Sequence, residues 1–354
     1  MKRVYLFVAI AYLLFGAAEF DAAAQTTVRV GWCARTITTA AAPFAVAMKM
    51  GWYARDGIAV ELVPLAGTDC VKLVATKTIP YALASVEPLA IIRSQGVKAR
   101  IFYTAYQGNI FGIAVPQSSA ITKLADLKQK TIGVTAMSST GALIARALAA
   151  SAGLDPDRDI HIVVAGEGAQ TAALLRSGQI DALSQFDTQY ALVENAGVKL
   201  RRLSTSEIEH FPSNGFLALE DTLRVSHNQA IALAQGYAKG TVFTFANPEA
   251  AIRILWEVYP ETKPTGVDEA TALREGMRTL QARMTNLRLE KSGVSRWGES
   301  SEKSFSAYTD FMQRWGVTKV KIPANELITN DLIGEINNFS QDEISAMAKA
   351  YKGK

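Results

Sequence analysis

TIGVTAMSSTGALIARALAASAG, residues 131–153, reads as a strand, a loop and a helix. The β-branched run Thr131, Ile132 and Val134 stops at the polar turn Ser138-Ser139-Thr140-Gly141, and alanine and leucine at helical spacing follow. A helix N-terminus presents backbone N–H groups without intrahelical partners and the positive end of the macrodipole. Hydroxyls placed there can help hold an anionic or polar ligand group, although serine and threonine are also ordinary caps.

The same transition recurs on both sides of this stretch. Upstream, residues 28–32, 58–65 and 79–84 read as strands and a fourth lies within 96–106, with helices at 43–53, 71–75 and 89–93. Downstream, 160–165 and 199–203 are strand-like, 170–175 and 189–195 helical, and 178–183 leads into Ser184-Gln185-Phe186-Asp187-Thr188. Strand–helix alternation through short connections specifies an α/β chain of mostly parallel sheets with helices on both faces. Extended segments at 102–115 and 210–219 interrupt it. Residues 107–214 therefore read as a second lobe inserted into a first lobe made of 25–106 and 215–354, with two crossings. Ligands of open α/β sheets bind outside the carboxyl ends of the strands, so two such lobes facing each other make one cleft. From residue 226 long amphipathic patterns take over, at 229–245, 248–259, 268–284 and 302–315, and are expected to cover lobe one and brace the hinge. Trp256, Trp297 and Trp315 read as packing residues.

The chain has 354 residues, enough for two domains. Residues 1–24 have the form of a secretory signal peptide: Lys2 and Arg3, an apolar run from Val4 to Ala18, then Ala22-Ala23-Ala24 before Gln25. That run is short for a bilayer span, and no later segment has the length and apolar purity of one. A soluble exported protein cleaved near Ala24 is expected. A formal charge of +4 without a dense basic run does not point to nucleic acid. Cys33 and Cys70 would enter an oxidising compartment. Each follows an apolar strand-like run, and neighbouring parallel strands would bring those ends within bridging reach; two separate buried thiols is the other reading.

Several motifs in order carry a resemblance: the VRVGW strand, APFAVAMKMGWYARDGIAVEL, YALAS, LADLKQKTIGV followed by SSTGAL, SGQIDAL, and ANPEAAIRILWEVYPE. In this the chain resembles the periplasmic substrate-binding proteins of ABC importers, in particular the NMT1/THI5-like group of nitrate, sulfonate, taurine and thiamine-pyrimidine proteins. The resemblance implies a type II periplasmic-binding-protein fold, a location in the periplasm, a monomer, and an inner-membrane ABC permease as partner. It implies no cofactor and no metal. Its cleft maps here onto Trp32, Cys33, Arg35 and Thr36; Thr68 and Asp69; Ser85 and Glu87; Tyr106 at the crossing; Ser138, Ser139 and Thr140; Gln185, Phe186 and Asp187; and Asn214 near the return. The cysteine-rich CCCFC-type signature of the pyrimidine-synthesising members is absent from the sequence.

On those positions Arg35 is the candidate for bidentate pairing with a sulfonate or carboxylate. Trp32 and Phe186 are candidates to sandwich a planar ring, or to pack at strand ends. Asp69, Glu87 and Asp187 can accept hydrogen bonds from an amine, or serve as caps and salt-bridge partners; facing the ligand together, they would favour an amino-bearing solute over a bare anion. His161, His210 and His227 lie in separate segments without metal-ligand spacing. Ser138 and Ser139 lack a base partner in the sequence pattern, so they read as donors rather than nucleophiles. The expectation is a non-enzymatic receptor for a small organic solute of the sulfonate, aminopyrimidine or aromatic carboxylate class. The alternatives are an exported pyrimidine enzyme on the same fold, and a solute sensor that reports to a histidine kinase.

Overall fold

A computed structural model describes residues 25–353, and the signal-peptide reading of residues 1–24 lies outside the described residues. Among the described residues ten strands occur in chain order: β1 (Thr26–Trp32), β2 (Ile58–Pro64), β3 (Tyr81–Ser85), β4 (Ala99–Thr104), β5 (Ala114–Pro116), β6 (Lys130–Val134), β7 (Ile160–Val164), β8 (Ala182–Leu183), β9 (Leu200–Arg202) and β10 (Asn214–Leu219). They form two five-stranded sheets, ordered β2-β1-β3-β10-β4 and β7-β6-β8-β5-β9. The sheet containing β1 and its helices are here lobe one; the other sheet and its helices are lobe two.

Both sheets have the same wiring. Three strands run parallel, a fourth is reversed, and the fifth pairs antiparallel with the reversed one. The reversed strands are β5 and β10, the first that the chain lays down after each crossing. The direction follows from geometry: the crossings lie on the side where the parallel strands end, so an arriving strand starts at that edge and runs away from it. The crossings are held to each other, Ala105 N and Tyr106 N donating to Asn214 O at 2.9 Å and Ser213 N to Tyr106 O at 2.9 Å.

Lobe one is built around aromatic side chains. Phe44, Phe216 and Tyr237 meet edge to face, with ring centroids 4.8 Å (Phe44–Tyr237) and 5.2 Å (Phe216–Tyr237) apart. The helix His227–Ala246 reaches this core because Gly240 lies against the Pro43 carbonyl, where a Cβ would collide. The helix Pro248–Val258 starts with Pro248, tolerated where no N–H partner is needed, and is capped by Asn247, whose Oδ1 accepts from Ala250 N at 3.1 Å. It buries Ile252, Ile254 and Leu255, each worth about 1.5–3 kcal/mol.

Several expectations shift. The helix read at 43–53 is two, Ala42–Lys49 and Trp52–Arg55, because Gly51 turns the chain at φ 67°. The helix read from residue 89 begins directly after β3, as Val86–Ser94, since Pro88 sits in the first turn, where it breaks nothing. Residues 324–350 add three helices that the pattern leaves unread: Ala324–Leu327, Ile333–Ile336 and Gln341–Ala350. Cys33 and Cys70 form a disulfide, Cα atoms 5.6 Å apart, which ties the end of β1 to the helix Asp69–Ala75. Among the described residues no helix is long and apolar enough to cross a membrane.

Candidate functional site

Between the lobes lies a cavity of about 50 Å³. Three helices start at its wall: Val86–Ser94 from lobe one, and Thr140–Ser151 and Asp187–Asn195 from lobe two. The residues before them, Ser85, Ser139 and Phe186, line the cavity, and none caps its helix with a side-chain hydrogen bond. The Thr140–Ser151 N-terminus presents about half a positive charge, whereas the other two carry Glu87 and Asp187 in their first turns, Asp187 Oδ1 accepting from Thr188 N at 2.7 Å.

The wall is assembled by close approaches. Ser85 Oγ and Thr140 Oγ1 are 2.6 Å apart, a direct bond between the lobes. Ser184 Oγ donates to Gly141 O at 2.7 Å, and any Cβ on Gly141 would collide with the Ser184 carbonyl. Tyr190 fixes the following loop: its hydroxyl donates to Gly112 O at 2.6 Å and accepts from Gln185 N at 2.9 Å. Three polar atoms of cavity-lining side chains are buried without a partner: Ser139 Oγ, Gln185 Oε1 and Thr188 Oγ1, on residues 6%, 1% and 0% exposed. Leaving such a group unmade costs about 1–3 kcal/mol.

Arg283, from the helix Glu269–Leu287, completes the lining. Its guanidinium lies 4.0 Å over the Tyr106 ring and grips Asp187 across the lobes, Nη2 to Oδ1 at 2.6 Å and Nε to Oδ2 at 2.9 Å. Asn286 Nδ2 donates to the same carboxylate at 2.9 Å, while Asn286 O accepts from Gly108 N at 3.0 Å in the crossing. None of the bonds to Asp187 uses Nη1. Burial works against the charge on Arg283, but Asp187 and Tyr106 outweigh it and hold the guanidinium above its ordinary range.

Of the residues singled out in the sequence, Trp32, Ser85, Tyr106, Ser139, Thr140, Phe186 and Asn214 line the cavity, with Cys33 and Gln185 beside them. The two aromatics are also packed at strand ends, Trp32 edge-on to Phe44 and Phe186 edge-on to Phe111. The others lie elsewhere. Arg35 is exposed outside the lining, so the guanidinium at the cavity is that of Arg283. Thr36 is exposed and bonds to Glu167 across the rim. Thr68 N donates to Ser138 O at 2.8 Å and Ser138 Oγ to Ala66 O at 3.5 Å, both contacts of the closed rim. Asp69 pairs with Lys72 at 2.9 Å. Glu87 is buried behind the wall against Tyr308. Asp187 is taken up by Arg283 and Asn286. None of these three carboxylate residues lines the cavity, which removes the preference for an amino-bearing solute built on them.

Arg283, Thr135 and Thr188 escape the sequence reading. One signal for Arg283 exists: it falls on the buried stripe of its helix, with Ala272, Gly276, Leu280, Met284 and Leu287, where a charge needs a partner.

Glu87 gives a test of this packing. Burial pushes its carboxyl up, against the opposing hydrogen bonds of Tyr308, its own backbone N–H and Ser85. A raised folded pKa means that the contribution to stability is fully present below about 4.5, the unfolded value, and is lost as pH rises through the folded value. Glu87→Gln is expected to raise the melting temperature at pH 7 and to flatten the decline from pH 4.5 upward. A variant less stable than wild type at pH 7 would refute the assignment.

A cleft between two like-wired α/β lobes, joined by two crossings and ringed by helix N-termini, is the architecture of the periplasmic-binding-protein fold. The chain belongs to the NMT1/THI5-like family, whose model matches residues 38–251. No curated protein matches it in sequence. Among solved structures it is similar to the alkanesulfonate-binding protein SsuA of Xanthomonas axonopodis pv. citri, solved with MOPS (TM-score 0.63, 17% identity, covering 86% of this chain and 98% of that one). It is also similar to the periplasmic nitrate-binding protein NrtA of Synechocystis PCC 6803 (TM-score 0.58, 16% identity, 93% and 99%). A third likeness is to a cysteine-to-serine mutant of DSZB in complex with biphenyl-2-sulfinic acid (TM-score 0.53, 12% identity, 89% and 99%).

Proposed function

We propose that this protein is the exported solute receptor of an ABC importer, and that it takes a small organic anion with a sulfonate or carboxylate head. Residues 1–24 serve as its signal peptide, residues 25–106 with 215–354 as lobe one, and 107–214 as lobe two. The observation that carries the reading is the convergence on one cavity of the Thr140–Ser151 helix N-terminus, whose first turn holds no acidic residue, the unpartnered hydroxyls of Ser139 and Thr188, and the Arg283 guanidinium. Donors and dipoles of that kind favour negative charge. The three similar structures name a sulfonate, nitrate and a sulfinic acid, each an oxyanion. At roughly 10–15 Å³ per ordered water, the cavity suits a compact head group with a short substituent.

Solute bound here touches both lobes. It shifts the hinge equilibrium toward the closed arrangement by its preference for that form, and the closed form docks on the membrane permease as a monomer. The reading needs no cofactor, metal or turnover.

Thermal-shift screening of ligand-stripped protein tests it, with alkyl and aromatic sulfonates, taurine, nitrate, aromatic carboxylates and aminopyrimidines. A ligand at about 100 times its dissociation constant stabilises the folded state by roughly 2.7 kcal/mol. Stabilisation by sulfonates or carboxylates, with the ligand recovered unchanged, is the expected result. Hits confined to aminopyrimidines would refute the anion reading, and consumption of the ligand would favour an enzyme.

A further inference from the structure

Among the cavity-lining residues only Arg283 bears a full charge, and that charge is already matched. Asp187 holds it with three hydrogen bonds, and the two side chains are 4% and 3% exposed. The formal charge of the site is therefore zero. What remains positive is partial: the N-terminus of the twelve-residue helix Thr140–Ser151, which has no acidic residue in its first turn, together with neutral donors. Partial charges and hydrogen bonds of this kind can accommodate one negative charge. A second would find no free counter-charge and would lie one guanidinium away from the Asp187 carboxylate.

We propose that Asp187 is a specificity-determining residue that restricts the solute to monoanions and excludes dianions of the same shape. It acts through Arg283 without touching the solute. The inference rests on the anion reading above and adds the charge of the head group, with sulfonates or carboxylates accepted and phosphonate dianions refused. Asp187 also orients the guanidinium: its bonds use Nε and Nη2 and leave Nη1 unengaged by the carboxylate.

Methanesulfonate and methylphosphonate at pH 9 have the same shape and differ by one charge, so titration calorimetry with this pair reads the effect directly. Wild type is expected to bind methanesulfonate at least ~100-fold more tightly, since tenfold corresponds to only about 1.4 kcal/mol. Asp187→Asn, which leaves Arg283 unmatched, is expected to narrow that ratio at least tenfold by improving dianion binding. Asp187→Asn combined with Arg283→Gln is neutral again and should weaken both ligands while keeping the wild-type ratio within about threefold. The double variant also has no unpaired buried charge, so a tenfold altered ratio in it would overturn the inference even should the single variant fail to fold. Equal binding of the two probes by wild type, an unchanged ratio in Asp187→Asn, or a tenfold altered ratio in the double variant would overturn the inference while the receptor reading stands. Binding of neither probe by wild type would overturn the inference, and the thermal-shift screen decides the receptor reading separately.

Discussion

Arg283→Met is expected to destabilise the protein by about 3–5 kcal/mol, because it leaves the Asp187 carboxylate buried without its charged partner. The same substitution should weaken anion binding ~100-fold or more: a hydrogen bond to a charged group is worth about 1.5–3 kcal/mol, and the orphaned carboxylate adds repulsion. The two effects separate in a second variant. Arg283→Met with Asp187→Leu removes both charges, and apolar replacement of a buried pair is often neutral or stabilising. The double variant should therefore regain most of the stability in chemical denaturation while anion binding stays weak. Recovery of binding along with stability would mean that Arg283 only holds the lobes together. Its links favour the combined role, since one helix carries Arg283 on the cavity, Asn286 on Asp187, and the Asn286 carbonyl on Gly108 of the crossing.

This arrangement shows which parts of the site are legible in the sequence. Ser85, Ser139 and Phe186 are legible because each stands where a strand-like run gives way to a helical one, and in a parallel sheet all such points lie on one side. The alternation itself encodes the two sheets for the same reason. Arg283 comes from a helix about a hundred residues after the second lobe's last cavity loop, and its local pattern is that of a covering helix. Only the tertiary packing that sets it against Asp187 makes it part of the cavity. Arg35 shows the converse: directly after β1 it has the right chemistry and the right neighbourhood, but the loop leaves it in solvent. Carboxylates mislead in the same way. Sequence gives the position of Glu87 and Asp187 but not the partners, Tyr308 and Arg283, that occupy them.

Replacing both cysteines by serine is expected to cost about 4 kcal/mol, the loop-closure entropy for a bridge spanning 37 residues. The bond lies wholly within lobe one, tying β1 to the helix Asp69–Ala75, so its loss falls on that lobe. If the lobes melt together, the larger unfolding entropy spreads this loss over roughly 6 °C; if lobe one melts alone, the drop is about 9 °C and the second transition stays in place. Calorimetry distinguishes the two. Binding should change less than with Arg283→Met. Cys33 lines the cavity, yet the polar contacts come from Ser139, Thr188 and Arg283, none of which the bridge holds. What the bridge does hold is the segment leading to Gly67 and Thr68, whose backbone meets Ser138 at the rim. The serine variant is therefore expected to lose no more than about tenfold in affinity, through a looser closed state rather than lost donors. A destabilisation below about 1 kcal/mol would mean that residues 33–70 are already ordered without the bridge, so that the unfolded chain gains little freedom from its removal.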